Sequence, residues 1–177
     1  TYLGSIGTWY LLDDMLVFFS VFLEKFPNAK FLFITQDKAD FIRARARIAG
    51  ISADRILIIS SKRESVPIYA LVGSLSIFFI KACFSKQSSS PTKQGELMAL
   101  GLPVICNAGV GDTDMIVRKY ESGLVVDSLN KSNYREIIEK VGQVSFDPNR
   151  IRAGALEYFS LQLAVSKYKE IYSSLLY

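Results

Sequence analysis

Lys93, Gly95 and Glu96 form a small chemical cluster in the stretch SSSPTKQGELMALGLPVICNAGVGD, Ser88 to Asp112. Ser90-Pro91 reads as a helix start, with serine as N-cap and proline at the first helical position. Lys93 then falls in the first turn, where the positive end of the helix dipole disfavours a cation by ~0.3–1 kcal/mol. Gly95 weakens the helix by about 0.8–1 kcal/mol relative to alanine. An anion at this helix N-terminus would account for both residues. Free N–H groups and Lys93 would bind it, and Gly95 would leave room for its approach. Glu96 lies three residues beyond Lys93 on the same face, where its carboxylate could accept two hydroxyl hydrogen bonds. Phosphate plus a diol describes a ribonucleotide. An exposed Lys93–Glu96 pair, with Gly95 packed on a neighbour, explains the same residues without any ligand.

Other stretches carry related chemistry. In "GSIG", Gly4, Ser5 and Gly7 follow the apolar pair Tyr2-Leu3. They fit a phosphate-side loop or a tight strand-to-helix turn, and they lack the Gly-x-Gly-x-x-Gly pattern of dinucleotide folds. "SSKRES" (60–65) supplies Lys62 and Arg63, either as ligand contacts or as a solvated charge cluster. Asp112-Thr113-Asp114 has the Asp-x-Asp spacing of a metal–diphosphate site. It also heads a helical stretch in which Asp112 or Thr113 would be the N-cap, and we read it as a cap and expect no metal. Arg43, Arg45 and Arg47 stand at i, i+2 and i+4, so Arg45 points away from the other two and no aromatic interleaves with them. That is a solvated face, and no nucleic-acid partner is expected.

The elements that would position these residues are legible as well. Continuous apolar runs recur at 31–35, 55–60, 75–80, 103–107 and 123–127, with Tyr2 and Leu3 in another. Runs without alternation suit strands buried on both faces of a parallel sheet. Helical patterns lie between them, at 11–26, 39–50, 66–72, 91–100, 113–120 and 133–141, and Ser160 to Leu175 reads as a closing helix capped by Ser160. Gly50 is placed to end the second helix. Strand and helix alternate throughout, so the expected fold is one doubly wound, Rossmann-like α/β domain over residues 1–177. About six parallel strands would carry helices on both faces. Such sheets bind ligands beyond the carboxyl ends of their strands. The loops at 4–10, 35–38, 60–66, 81–92 and 107–113 therefore frame the site.

Composition narrows the function further. The 177 residues are 50% hydrophobic, carry a formal charge of +4, and include two cysteines and no histidine. A dedicated zinc site is excluded on those grounds, and Cys83 and Cys106 read as small buried hydrophobes in a reducing compartment. "MLVFFSVFL" (15–23) is far short of the ~20 residues that cross a bilayer, and no leader sequence opens the chain. A cytoplasmic location follows as an expectation. Thr1 leads straight into "YLGS", as though the chain were a piece of a longer protein.

With these motifs in order, the chain resembles the nucleotide-sugar-binding domain of GT-B-fold glycosyltransferases, in particular glycosyltransferase family 4. "SPTKQGELMALGLPVI" resembles the family's motif region, "YLGSIGTWY" its Gly-rich first loop, and "SVPIYALVGSLSIFFI" its "VP-x-YL-x-x-AD" segment. "NAGVGDTDMIV" and "FSLQLAVSKYKEIYSSLL" also fit, so the likeness covers nearly the whole chain. It implies the C-terminal donor half of a GT-B enzyme, working with an N-terminal acceptor domain. Transfer, with retention, would run from a nucleoside-diphosphate sugar to a glycan or lipid-linked acceptor, at the inner face of a membrane in the latter case. Glu96 matches the ribose-binding glutamate that closes the family's E-x7-E motif, and Ser88 stands where the first glutamate, on the sugar side, belongs. The resemblance places Gly4, Ser5, Gly7, Thr92 and Lys93 beside the diphosphate, Lys62, Arg63 and Val66 near the base, and Gly109, Gly111 and Asp112 toward the sugar. Thr8, Trp9 and Tyr10 fill a segment where the family often has an arginine and later a lysine, which shifts the charge onto Lys93. No cofactor is implied, and no catalytic residue is assigned. An epimerase of the same fold and a regulatory nucleotide-binding module without transfer activity remain alternatives. The absent Gly-x-Gly-x-x-Gly weighs against a nicotinamide-dependent oxidoreductase.

Overall fold

The computed structural model describes residues 1–175. Six parallel strands form its centre: β1 (Tyr2–Leu3), β2 (Phe31–Ile34), β3 (Ile56–Ile59), β4 (Ser76–Phe78), β5 (Val104–Asn107) and β6 (Gly123–Val126). They pair as two three-stranded sheets, ordered β1-β2-β3 and β4-β5-β6. The sheets meet at β1 and β4, where the Ile77 N–H donates to the Thr1 carbonyl at 2.9 Å. The chain therefore reverses its strand order between β1 and β4, and a crevice opens at the carboxyl ends on either side of such a switch. Phe33, Ile105 and Val126 are sealed from solvent, as strands covered on both faces demand, whereas Leu57 of the edge strand β3 is exposed.

Among the described residues, five helices connect the strands, α1 (Leu12–Lys25), α2 (Ala39–Ile48), α3 (Val66–Ala70), α4 (Thr92–Ala99) and α5 (Thr113–Tyr120), and three follow β6, α6 (Lys131–Val141), α7 (Pro148–Tyr158) and α8 (Leu161–Leu175). α1 packs on α2 and α6, α7 bridges α4 and α5, and helices cover both faces of the sheet. The core is rich in aromatics. Phe18 of α1 meets Phe79 and Tyr134 edge to face at 5.8 and 5.3 Å, an arrangement favoured by ring quadrupoles.

The sequence reading misses α7. Its start is nonetheless regular: Asp147 accepts from the Asn149 N–H at 2.9 Å, and Pro148 follows the cap. Its interior is weakly patterned because small residues face its neighbours, with Gly154 stacked against the Tyr120 ring. Two local expectations are also revised. Helix α4 starts one residue later than Ser90-Pro91 implies, because Pro91 is extended (ψ 117°) and takes the cap position itself. Cys106 is buried, but Cys83 lies half-buried in the loop after β4. Gly50 does end α2 in a left-handed conformation, φ +75°. Ser160 caps α8, accepting from the Leu163 N–H at 3.4 Å. No helix of the described residues is long and apolar enough to cross a membrane.

Candidate functional site

The crevice between β1 and β4 is framed by the loop Gly4–Tyr10, the loop 81–91 and the N-terminus of α4. Main-chain bonds tie the first two together. Leu11 N–H donates to Phe79, Lys81 N–H donates to Trp9, and Tyr10 bridges Ile80 in antiparallel fashion. The Asn107 side chain extends this lattice, accepting from the Ile80 N–H at 2.8 Å and donating to the Ile80 carbonyl at 2.9 Å. Both loops leave the sheet in fixed directions. That fixity is needed if their backbone groups are to hold a ligand.

Lys93 points from the first turn of α4 toward Tyr2, Tyr10 and Gly4. It is buried, at 8% exposure. Its Nζ lies 3.5 Å from the centre of the Tyr10 ring and 4.2 Å from that of Tyr2. It also donates to the Tyr2 hydroxyl at 3.1 Å. Burial pushes its pKa down to about 7, against the favourable charge of Glu96. The two rings pull the same way as Glu96, since desolvated cation–π contacts favour the ammonium by roughly 2 kcal/mol. The lysine approaches Gly4 so closely that a methyl group there would stand 3.2 Å from Nζ, and Gly4 itself has φ +106°. Lys93 and the Gly-rich loop thus meet, although 91 residues separate Tyr2 from Lys93.

Glu96 turns the other way. Its carboxylate receives both terminal nitrogens of Arg63, from the 3₁₀ turn after β3: Nη1 donates to Oε2 at 3.2 Å, and Nη2 donates to Oε1. The exposed Lys93–Glu96 pair, the ligand-free alternative, is therefore not formed. Along a helix, three residues bring two side chains to one face, but the pull of separate partners draws them apart. Arg63 is largely exposed, with a side-chain exposure of 73% against 31% for Glu96. Lys62 is exposed beside Arg63, and Val66, half-buried, packs against the core at the start of α3.

Gly95 does not serve as an approach for an anion. A Cβ there would stand 2.7 to 3.0 Å from the Phe159 side chain, so the missing side chain makes room for the junction of α7 and α8. Gln94, between Lys93 and Gly95, is fully buried and donates to the Thr113 carbonyl at 3.0 Å, tying α4 to α5. Its Oε1, the Thr113 hydroxyl and Asp112 Oδ1 have no partner among the described residues.

On the other side of the crevice, Gly111 (φ +50°) lies against the backbone of Ser89. An added Cβ would overlap the Ser89 carbonyl oxygen at 1.8 Å. Ser88, Gly109, Gly111 and Asp112 thus gather where the loop after β5 meets the end of the loop after β4, with Ser88 exposed. Asp112 holds the N-cap position of α5, but its side chain makes no capping bond. It accepts instead from the Tyr158 hydroxyl at 2.9 Å. Thr92, the first residue of α4, is exposed.

Sequence reasoning missed a second carboxylate, Asp37, in the loop after β2. It accepts from the Ile6 N–H at 2.5 Å, from the Thr35 hydroxyl at 2.8 Å and from the Ser5 hydroxyl at 3.4 Å. Burial opposes its ionisation, but these hydrogen bonds together outweigh burial and hold the carboxyl below the usual range. The Thr-x-Asp spacing after a strand was the available signal. Tyr2 and Tyr10 gave none, since each also reads as a core aromatic.

No protein-family description and no curated protein matches this sequence. Solved structures do match its fold. A glycosyltransferase from Rickettsia africae superposes with a TM-score of 0.71 at 16% identity, over 99% of this chain and 47% of that one. TarM from S. aureus, solved with UDP, gives 0.73 at 12% identity over 96% of this chain and 34% of its own. WaaG, a glycosyltransferase involved in lipopolysaccharide biosynthesis, gives 0.63 at 18% identity, covering 87% and 40%. The chain spans less than half the length of each of these three. Its fold is the Rossmann-like fold of these GT-B glycosyltransferases.

Proposed function

We propose that this domain is the donor-binding half of a GT-B glycosyltransferase and that it binds a nucleoside-diphosphate sugar in the crevice between β1 and β4. One observation carries the reading. A buried lysine with no carboxylate partner among the described residues faces a Gly-rich loop at a helix N-terminus, one turn from a carboxylate in reach of solvent. Buried cations are normally paired, so a lysine sealed by two tyrosine rings fits a site whose counter-ion arrives with the ligand. The diphosphate would lie against Lys93 and the first turn of α4, beside Gly4, Ser5 and Gly7. Glu96 would accept the ribose hydroxyls, with Arg63 either sharing the carboxylate or moving onto the base, where Lys62 and Val66 also border the crevice. The sugar would extend toward Ser88, Gly109, Gly111 and Asp112.

In this reading the chain's chemical contribution is electrostatic. Fixed N–H dipoles and an ammonium in a water-poor crevice stabilise the charge that grows on a departing diphosphate. The donor sugar would pass through an oxocarbenium-like state, with retention of configuration. The acceptor would be seated by a second, N-terminal domain. Support for that partner comes from two facts: the chain spans under half of each of the three structures above, and α8 carries an exposed stripe of Leu161, Val165, Tyr168, Tyr172 and Leu175. This half alone binds donor and transfers nothing, and it needs no divalent cation. A lipid-linked acceptor would bring the complete protein to the inner face of a membrane. Calorimetric titration with UDP, GDP, ADP and NAD tests the reading. Binding of a nucleoside diphosphate supports it, and binding of NAD alone sinks it.

A further inference from the structure

Tyr2 occupies a position that packing alone does not explain. It is fully buried in β1, at the centre of the sheet, and its ring meets Phe33 and Tyr10 at 5.8 and 5.9 Å. A phenylalanine would keep both contacts. The hydroxyl is what is added, and it joins two parts of the crevice. It donates to the Ser5 carbonyl at 2.5 Å and accepts from Lys93 Nζ at 3.1 Å. Burial, with Tyr10 and the Asp37 charge behind it, holds the phenol in its protonated form. Its single proton goes to Ser5, so its lone pair is left for Lys93.

The same peptide is held from its other side. The Ser5–Ile6 N–H donates to Asp37 Oδ2 at 2.5 Å, and Thr35 steadies that carboxylate at 2.8 Å. Both polar groups of one peptide unit are therefore occupied, one by a buried phenol and one by an ionised carboxylate. The Ile6 amide is closed to any ligand. The loop's remaining contact with an anion must come through its neighbours, in the orientation that this clamp imposes. Lys93 belongs to the same unit, because the phenol that anchors the loop also aligns the ammonium. The other groups facing Lys93 are the Tyr10 ring and, at longer range, the charge of Glu96.

We propose that Tyr2 is a positioning residue for the donor diphosphate, its hydroxyl locking the Lys93 ammonium and the Ser5–Ile6 peptide into one rigid anion-facing unit. This rests on the nucleotide-sugar reading of the crevice. Tyr2 touches no ligand; it acts through Lys93 and the loop. Neither the Glu96 side of the site nor the base depends on it.

The test compares wild-type protein with Tyr2→Phe, using UDP, GDP and ADP, each beside its nucleoside, together with pyrophosphate. Losing one charge-assisted hydrogen bond to Lys93 should weaken the diphosphates and pyrophosphate about 5- to 20-fold and leave the nucleosides within about 2-fold. A second readout needs no ligand. NMR titration of the Lys93 side chain should show a lower midpoint in Tyr2→Phe, because the ammonium has lost its acceptor, and hydrogen exchange at the Ile6 amide should accelerate. A purely structural role would lower the melting temperature while leaving the diphosphate-to-nucleoside ratio and the Lys93 midpoint where they were, and that result overturns the assignment. If wild-type protein binds no diphosphate and no pyrophosphate, the nucleotide reading fails and takes the assignment with it. Binding by the wild type with an unchanged ratio in Tyr2→Phe sinks the assignment alone.

Discussion

Lys93 and Glu96 share one turn of α4 and meet opposite environments. The ammonium is enclosed by Tyr2 and Tyr10. The carboxylate lies on an exposed arginine. The contrast separates two kinds of electrostatics. In the enclosed half, burial governs the charge state, so protons matter and salt has little effect. In the open half water screens the ion pair, the median worth of such pairs is ~0–1 kcal/mol, and salt matters more than pH.

The largest effect expected is on the enclosed side. Lys93→Met keeps length and apolar character while deleting the charge, and diphosphate affinity should fall about 100-fold with the nucleoside hardly changed. The pH dependence has a definite sign. Burial holds Lys93 near a pKa of about 7, below its ordinary value of 10.5, and a diphosphate bound beside it would raise it. Binding then takes up a proton, so affinity falls by up to about tenfold per pH unit above pH 7, until the pKa of the bound lysine is passed. For the empty protein the unfolded chain binds the extra proton over the same interval. Folding stability therefore rises with pH from about 7 toward 10.5, and Lys93→Met should flatten that rise in a melting series.

Glu96→Ala gives the next largest change. Loss of one net charge-assisted contact to the ribose weakens nucleotides roughly 10- to 100-fold. The loss should shrink for a 2′,3′-dideoxy nucleotide, which lacks the partner hydroxyls. Equal losses for both ligands would show that Glu96 serves the fold and not the ribose.

Gly95→Ala tests the boundary between the halves. Its new methyl would press on Phe159 at under 3.0 Å, and overpacking of this kind costs ~1–3 kcal/mol. Chemical denaturation should show that loss, while the folded protein binds nucleotide with unchanged affinity. A selective loss of diphosphate affinity would return Gly95 to the anion site. Arg63→Ala should be smaller still, shifting stability by less than about 1 kcal/mol, with high salt erasing the difference. Smallest of all is the effect of a metal chelator on nucleotide affinity, for which no change is expected. A large loss would revive the metal reading of Asp112 and Asp114.

Which parts of this molecule the sequence disclosed follows from the range of the forces involved. The six strands were legible because burial on both faces writes continuous apolar runs, as in Phe31–Ile34 and Val104–Asn107. α1 and α6 were legible through helical periodicity. α7 was not, because Gly154 and Ala155 pack by being small, and small residues carry little periodic signal. In the candidate site the cluster was visible, but its partners were not. Gly95 looked like space for a ligand, and only the return of the chain at Phe159 shows what fills that space. Lys93 and Glu96 looked like a pair, since spacing reports a shared helix face and not the competing pull of Tyr2 and Arg63. Contacts made across 91 and 33 residues leave no local mark.

Proton exchange on ligand binding tests the central claim most directly. Titrating the wild-type protein with UDP, GDP and ADP at pH 8, in two buffers of different ionisation enthalpy, reads the number of protons taken up. If a largely uncharged Lys93 becomes the counter-ion of the diphosphate, roughly 0.5–1 proton should enter with each diphosphate and none with the matching nucleoside. Lys93→Met should abolish the uptake. Tight diphosphate binding with no proton uptake, or equal uptake in Lys93→Met, would contradict the account and move the anion away from the aromatic box.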